Sequence, residues 1–243
     1  MTRSLALAAL TLVVPVAASP ALAQSADPTD RTVTAAFVEA PPRIDGRLDD
    51  ALWVEIAPVT AFTQVFPQVG AAATEATEVY VAYDRDFLYF AFRNRDRNPD
   101  LIRARNLVRG GPNADDDHLY IGLDTYRDGR NAYLFEINAL GTQDDALITD
   151  ENITFDSFSW DAVFRSETHI DDTGWSAELA IPFRQLRFPE GEELSFGLMF
   201  HRGIRRKNER VSWPAISREG FGAIAQVSEY GVLRGIRGIR RGR

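Results

Sequence analysis

The sequence has 243 residues, a formal net charge of −8 and no cysteine. That length admits one large β domain or two small ones. The missing thiols exclude a disulfide framework and a thiolate metal site, and the acidic balance argues against a nucleic-acid partner, whose phosphates such a surface repels.

The first residues read as a targeting segment. Arg3 supplies a positive start, 5–16 an apolar run too short to span a bilayer comfortably, and Ala21-Leu22-Ala23 a small-residue cleavage site. We therefore expect a signal peptide over 1–23 and export to the periplasm, outer membrane or extracellular space. Loss of Arg3 would leave a mature net charge of about −9. Residues 24–32, polar and containing Pro28, read as a flexible leader.

Structure is expected from Val33. Extended pieces surround Pro41-Pro42, Gly46 turns the chain, and Asp49-Asp50 offer a carboxylate to cap a short helical turn at Ala51-Leu52-Trp53. Trp53 is expected to pack inward as an anchor. The segments EVYVAYD and FLYFAFRNR form a hairpin, and apolar residues on both faces of the second make it a central strand. Helical spacing is read over 101–108, ended by Gly110-Gly111-Pro112.

Residues 115–145 read as a second hairpin with an acidic rim. Leu119, Ile121 and Leu123 share one face and His118, Tyr120 and Asp124 the other, while Tyr133, Phe135 and Ile137 repeat the alternation after a turn at Asp128-Gly129. Asp115, Asp116 and Asp117 precede the unit and Asp144 and Asp145 follow it. Such carboxylates suit either a hard-metal or sugar-hydroxyl site, or simply a solvated strand end.

Beyond the hairpin, a short strand at 146–148, a polar loop at 150–161 and a strand beginning at Trp160 are expected. A turn at 171–174 leads back into Trp175, Ala177, Leu179 and Ile181, followed by one helical turn at 183–186. Leu194, Phe196, Leu198 and Phe200 alternate in a further strand, and one or two more lie between Val211 and Val232. The tail 233–243, with five arginines and no acid, is expected to stay outside the core. About ten short strands with almost no long helix predict one all-β domain over 33–232, an antiparallel β-sandwich of jelly-roll or immunoglobulin-like type with one or two helical turns.

Four segments taken in order, PRIDGRLDDALW, TEVYVAYDRDFLYFAFRNRD, DDDHLYIGLDTY and TGWSAELAIPFRQL, resemble carbohydrate-binding module family 9. The likeness is greatest to members at the N-terminus of exported bacterial proteins with a C-terminal half similar to an outer-membrane barrel, EYGVLRGI lying near the junction. The resemblance implies a non-catalytic module that binds a polysaccharide or oligosaccharide, association with carbohydrate catabolism and glycoside hydrolases, a calcium ion, and a sugar held between two Trp side chains. At the first clamp position this sequence has Asn113 and Ala114, and near the second its nearest aromatic is Phe221, while Trp213 matches a structural Trp. The clamp is thus at best half present.

The expected sugar contacts are Asp116, Asp117, Asn138, Asp144, Trp160 and Phe221, and the expected calcium ligands come from Asp116, Asp117, Asp144 and Asp145. A second reading is a periplasmic docking domain for an outer-membrane barrel, with sugar binding lost. A third, glycoside hydrolysis by a pair such as Asp117 and Asp144, requires carboxyl groups about 5 to 9.5 Å apart across a cleft. Haem ligation by Met199 and His201 is disfavoured, since both lie on one strand face. His118 and His169 read as surface or hydrogen-bonded histidines.

Overall fold

The computed structural model describes residues 31–110 and 115–239, the side chains of Gly220 and Phe221 excepted. The expected signal peptide, the leader up to residue 30, Asn113, Ala114 and the tail from 240 lie outside the described residues. In chain order come β1 (Thr32–Thr34), β2 (Ala36–Phe37), a helical turn α1 (Ala51–Glu55), β3 (Thr63–Phe66), β4 (Thr77–Tyr83) and β5 (Phe87–Arg95). Next are β6 (His118–Asp124), β7 (Ala132–Asn138), β8 (Gln143–Ile148), β9 (Arg165–Asp171) and β10 (Gly174–Pro182). Last are β11 (Glu193–Ile204), β12 (Glu209–Trp213) and β13 (Gly231–Arg237).

These strands form two sheets. One runs β2-β4-β5-β10-β9, with β5 central as its two apolar faces require. The other runs β1-β13-β11-β6-β7-β8, and β11 is long enough to be shared: its first half pairs with β13 and its second with β12, which carries β3. Alternating residues of β6, β7 and β11 meet those of β4, β5 and β10 in the main core. Phe200 of β11 sits edge-to-face on Phe90 at 5.7 Å and Phe92 at 5.5 Å. Trp213 packs on the other side of Phe200 at 5.8 Å, the structural role expected of it.

One charged group is buried between the sheets. Arg202 is wholly enclosed, and its guanidinium donates to Ala76 O and Thr77 Oγ1 at 3.0 Å and to Arg95 O at 2.9 Å. Burial pulls its pKa down to about 10, against the pull of the nearby Asp117, Asp96, Glu75 and Glu209 carboxylates. Of these acids, Glu75 and Asp96 are held in turn by Arg206, and Glu75 also by Lys207, so this end of the sandwich is closed by a charge network.

Several expectations change. The sheets are mixed, not purely antiparallel, because the short strands β1 and β2 add in parallel to β13 and β4. The helix expected over 101–108 is absent: a 3-10 turn at Pro99–Leu101 gives way to extended chain. The backbone amides of Arg103, Arg105 and Asn106 donate to the carboxylates of Asp117 and Asp116, which removes them from helical bonding. The strand expected from Trp160 begins only at Arg165. The boundary at 232 is also displaced, since β13 runs to Arg237 and buries Leu233 and Ile236 completely.

Trp53 is buried as expected, in an outer layer against Tyr80, Tyr89 and Ala180. Its anchor is Glu178 and not a cap: Asp50 makes no side-chain cap bond and instead accepts from Arg43 N at 2.8 Å. The enclosed Glu178 carboxylate accepts from Trp53 Nε1 at 2.7 Å and from the amides of Asp45 and Gly46 at 3.0 and 2.9 Å. Truncating Trp53 or Trp175 to Ala should each cost about 3 to 5 kcal/mol in denaturant unfolding. Glu178→Gln, which leaves one amide or indole donor facing an NH2, should cost about 1 to 3 kcal/mol. Losses below about 1 kcal/mol for both tryptophans would overturn the packing assigned to them.

Candidate functional site

The face of the larger sheet that points away from the core divides into two halves. Towards one end, Leu134, Ala146, Ile148 and Met199 are covered by Ile224 and Val227 from the 3-10 turns Gly220–Ala225 and Val227–Glu229, and by Tyr230, which follows them. Towards the other, polar side chains fall into register across neighbouring strands. Asp144 opposes Glu136, Glu136 opposes Tyr120, Tyr120 opposes His201, His201 opposes Ser212, and Ser212 opposes Thr63. Every member of this row is buried.

A polar row in such a setting must satisfy itself or carry perturbed protonation. Burial raises the Tyr120 hydroxyl well above its usual pKa, reinforced by the Glu136 carboxylate to which it hydrogen-bonds. Burial likewise raises Asp144, although the Asp145 amide and Arg109 oppose it. His201 is pushed well below its ordinary value by burial, then by His118 and Arg210. Its ring lies 6.1 Å from His118 in a stacked arrangement and 5.7 Å from Tyr120, and its Nδ1 has no hydrogen-bond partner.

Beyond the row the sheet opens into a recess lined by Asp116, His118, Gly203, Ile204, Arg205, Asn208, Glu209 and Arg210. Gly203 makes room for it, because a Cβ there would lie 2.5 Å from His118 Cε1. His118 Nδ1 bonds to Asp116 O at 2.8 Å, so the ring is fixed as the floor. Asn208 adopts the left-handed conformation after the turn Arg205–Lys207 and exposes its amide. Arg210 lies with its guanidinium 5.5 Å from the Phe66 ring centre. Glu209 is engaged elsewhere, accepting from Thr74 N at 2.8 Å and Thr74 Oγ1 at 2.6 Å.

The residues named from sequence do not converge. Asp116 borders the recess, but its carboxylate accepts from the amides of Arg105 and Asn106 and from Asn138 Nδ2, while Asn138 Oδ1 accepts from Leu140 N and Thr142 N. Both therefore shape the loops around the site. Asp117 faces inward towards Arg202, and Asp145 holds Arg109 at 2.7 Å and the Ala162 amide at 2.9 Å. Only Asp144 joins the outer row. Trp160, half-buried, packs on the core side, 5.0 Å from Tyr133 and 5.7 Å from Phe135, and lies away from the outer row. Phe221 falls in the turn Gly220–Ala225, with its side chain outside the described residues.

The four aspartates expected to hold calcium are likewise not brought together. Period-two alternation sends Asp144 and Asp145 to opposite faces and separates Asp116 from Asp117 likewise. Among the described residues no group of three or more His, Cys, Asp or Glu side chains is placed to hold a metal ion. The hydrolytic pair Asp117 and Asp144 is divided by the sheet in the same way and faces no common cleft. His118, Tyr120, Glu136, His201, Asn208 and Arg210 were missed as a group. The alternation already put His118 and Tyr120 on the second face, but only strand register joins them to His201 and Arg210.

The buried histidine gives a titration signature. Below pH 6.5, the ordinary value for His201, the unfolded chain takes up a proton that the native chain refuses. Stability should therefore fall as pH drops, by about 1.4 kcal/mol per pH unit from this group. The difference in unfolding free energy between wild type and His201→Gln should be flat above that pH and shrink below it. Parallel curves from pH 7.5 to 5 would show that His201 takes up its proton in the fold as readily as in the unfolded chain, and would overturn its assignment as a buried neutral ring.

Comparisons with known proteins agree with this architecture. Residues 44–233 match the family model described as carbohydrate family 9 binding domain-like. Among solved structures, a family 9 carbohydrate-binding module from Caldicellulosiruptor kristjanssonii in complex with cellotriose superposes with a TM-score of 0.56 at 16% identity, over 84% of this chain and 92% of that one. The complex of such a module with glucose, from the same organism, gives 0.57 at 15% identity, over 87% and 97%. A Bacteroides uniformis protein provisionally assigned to carbohydrate binding gives 0.63 at 13% identity, over 85% and 99%. At these identities the likeness shows the β-sandwich fold. No protein of curated function matches the sequence. With its two-sheet sandwich and a family match spanning most of the described chain, the protein belongs to the carbohydrate family 9 binding domain-like family.

Proposed function

We propose that this chain is an exported, non-catalytic saccharide-binding module whose ligand lies across the mouth of the small recess beside the buried polar row. The observation that carries the reading is the recess itself. A fixed imidazole, an exposed amide and a guanidinium over an aromatic ring stand together at the open end of a rigid sheet. Sugar hydroxyls both donate and accept, so a site combining Asn208, His118 and Arg210 matches them, while the half-buried Phe66 ring supplies apolar surface nearby. The related modules that hold glucose and cellotriose support a glucose-containing ligand. Export is supported by Arg3, the apolar run 5–16 and Ala21-Leu22-Ala23. A binding module of this kind contributes by holding polysaccharide near a hydrolase, without an acid and base of its own.

Without a Trp clamp on the described surface, affinity must rest mainly on hydrogen bonds. Titration calorimetry with glucose and cellotriose should show saturable binding, and Arg210→Ala should weaken it by about ten- to a hundredfold while leaving the melting temperature close to wild type. Absence of heat at millimolar sugar in the wild-type protein would overturn the proposal. Intact-mass measurement of protein from a bacterial envelope should find Met1 to Ala23 removed, and a mass that includes Met1 would refute export by this signal.

A further inference from the structure

A second polar depression lies away from the recess, at the outer edge of β8. It is lined by Leu147, Thr149, Asp150, Asn152, Thr154, Asp156, Ser157 and Ser159. All but Leu147 present hydroxyl, amide or carboxylate groups. Phe155, within the same run, is 94% exposed. A phenyl ring left in water forgoes the stabilisation that burial would give it.

The loop that displays Phe155 is braced from several sides. Thr154 and Ser157 exchange bonds in a capping box, and Ser159 Oγ donates to Asp156 O at 2.6 Å. Thr149 and Asn152 close the preceding turn, in which Asp150 and Glu151 both take positive φ. The Glu151 carboxylate then accepts from Ser228 N at 2.8 Å and Ser228 Oγ at 2.7 Å, tying the loop to the cover of the outer face. Phe158, half-buried, packs into that apolar cluster. One aromatic of this turn thus anchors it and the other is held outward, so presenting Phe155 requires no further ordering of the loop.

We infer that this edge is a second saccharide-binding site, taking a neutral oligosaccharide whose apolar ring face lies on Phe155 and whose hydroxyls enter the depression. The chemistry selects such a ligand. An aromatic face stacks on the C–H face of a pyranose, while Asp156, Asn152 and the serine and threonine hydroxyls exchange hydrogen bonds with its hydroxyls. The two carboxylates disfavour anionic sugars and anionic lipid headgroups, and Asp150 is already paired with Arg130 at 2.8 Å. No residue is shared with the recess, so the two sites can engage one polymer together and raise its apparent affinity by effective concentration. The inference rests on the saccharide-binding reading above, with a different site on the same chain.

The test is an NMR titration of the full chain with cellotriose, following resonances of Phe155 and Asp156 at the edge and of His118 and Arg210 in the recess. Both sets should shift, and Arg210→Ala should weaken the recess response, read at His118, by about ten- to a hundredfold and leave the edge response unchanged. Phe155→Ala, a surface change that leaves the fold intact, should weaken the edge response by about fivefold and leave the recess unchanged. Shifts confined to the recess would overturn the second site while sustaining the first. Silence at both would overturn both. Broadening of Phe155 by phosphatidylcholine vesicles, without any response to cellotriose, would assign the ring to a lipid surface and overturn the inference.

Discussion

The fold depends on the alternation of β11. Its residues Phe196, Leu198, Phe200 and Arg202 face the second sheet, and Gly197, Met199, His201 and Gly203 face outward. Every other strand of the larger sheet pairs with β11 or is reached through a strand that does. A one-residue slip would exchange the two sets, placing Phe200 outside and His201 in the core, so burial on one face holds the register of the whole sheet. Arg202 reinforces that choice. Its guanidinium reaches carbonyls on the opposing sheet only in this register, and the surrounding carboxylates would be left uncompensated in any other.

The outer face of the same sheet is a consequence of this arrangement. Glycines at 122 and 203 leave the sheet thin where Tyr230 and His118 cross it; a Cβ at 122 would come within 2.4 Å of the Tyr230 hydroxyl oxygen. One half of the face is thereby closed by an apolar cover, and the other keeps a buried polar row that ends in an accessible recess. The buried members set the electrostatics, and the accessible ones border solvent. Burial, His118 and Arg210 all lower the pKa of His201, which favours the uncharged ring in this row.

Much of this was legible in the chain. The alternation of EVYVAYD, FLYFAFRNR and the 118–138 hairpin identified strands and their inner faces, and Trp53 and Trp175 proved to be buried where their apolar neighbours placed them. What stayed hidden depended on partners distant in sequence. Residues 101–108 carry helical spacing, yet Asp116 and Asp117 capture the amides a helix needs. Adjacent aspartates read as a cluster, yet strand geometry divides each pair between opposite faces. The polar row joins side chains from β8, β7, β6, β11, β12 and β3, and no local pattern records a register that spans so much of the chain. The arginines of the tail masked Leu233 and Ile236, whose two-sided burial begins only when β11 and β1 pair on either side.

The pairing of β1 with β13 bears on how the domain responds to mechanical load. The two strands run parallel, with Thr32 beside Val232 and Thr34 beside Arg234. The chain therefore enters this pair at one end and leaves it at the other. Tension applied between its two ends pulls the strands past each other along their length, so the hydrogen bonds from Val232 N to Arg31 O and from Ala35 N to Arg234 O share the force and must yield together. An antiparallel closure would have opened one bond at a time.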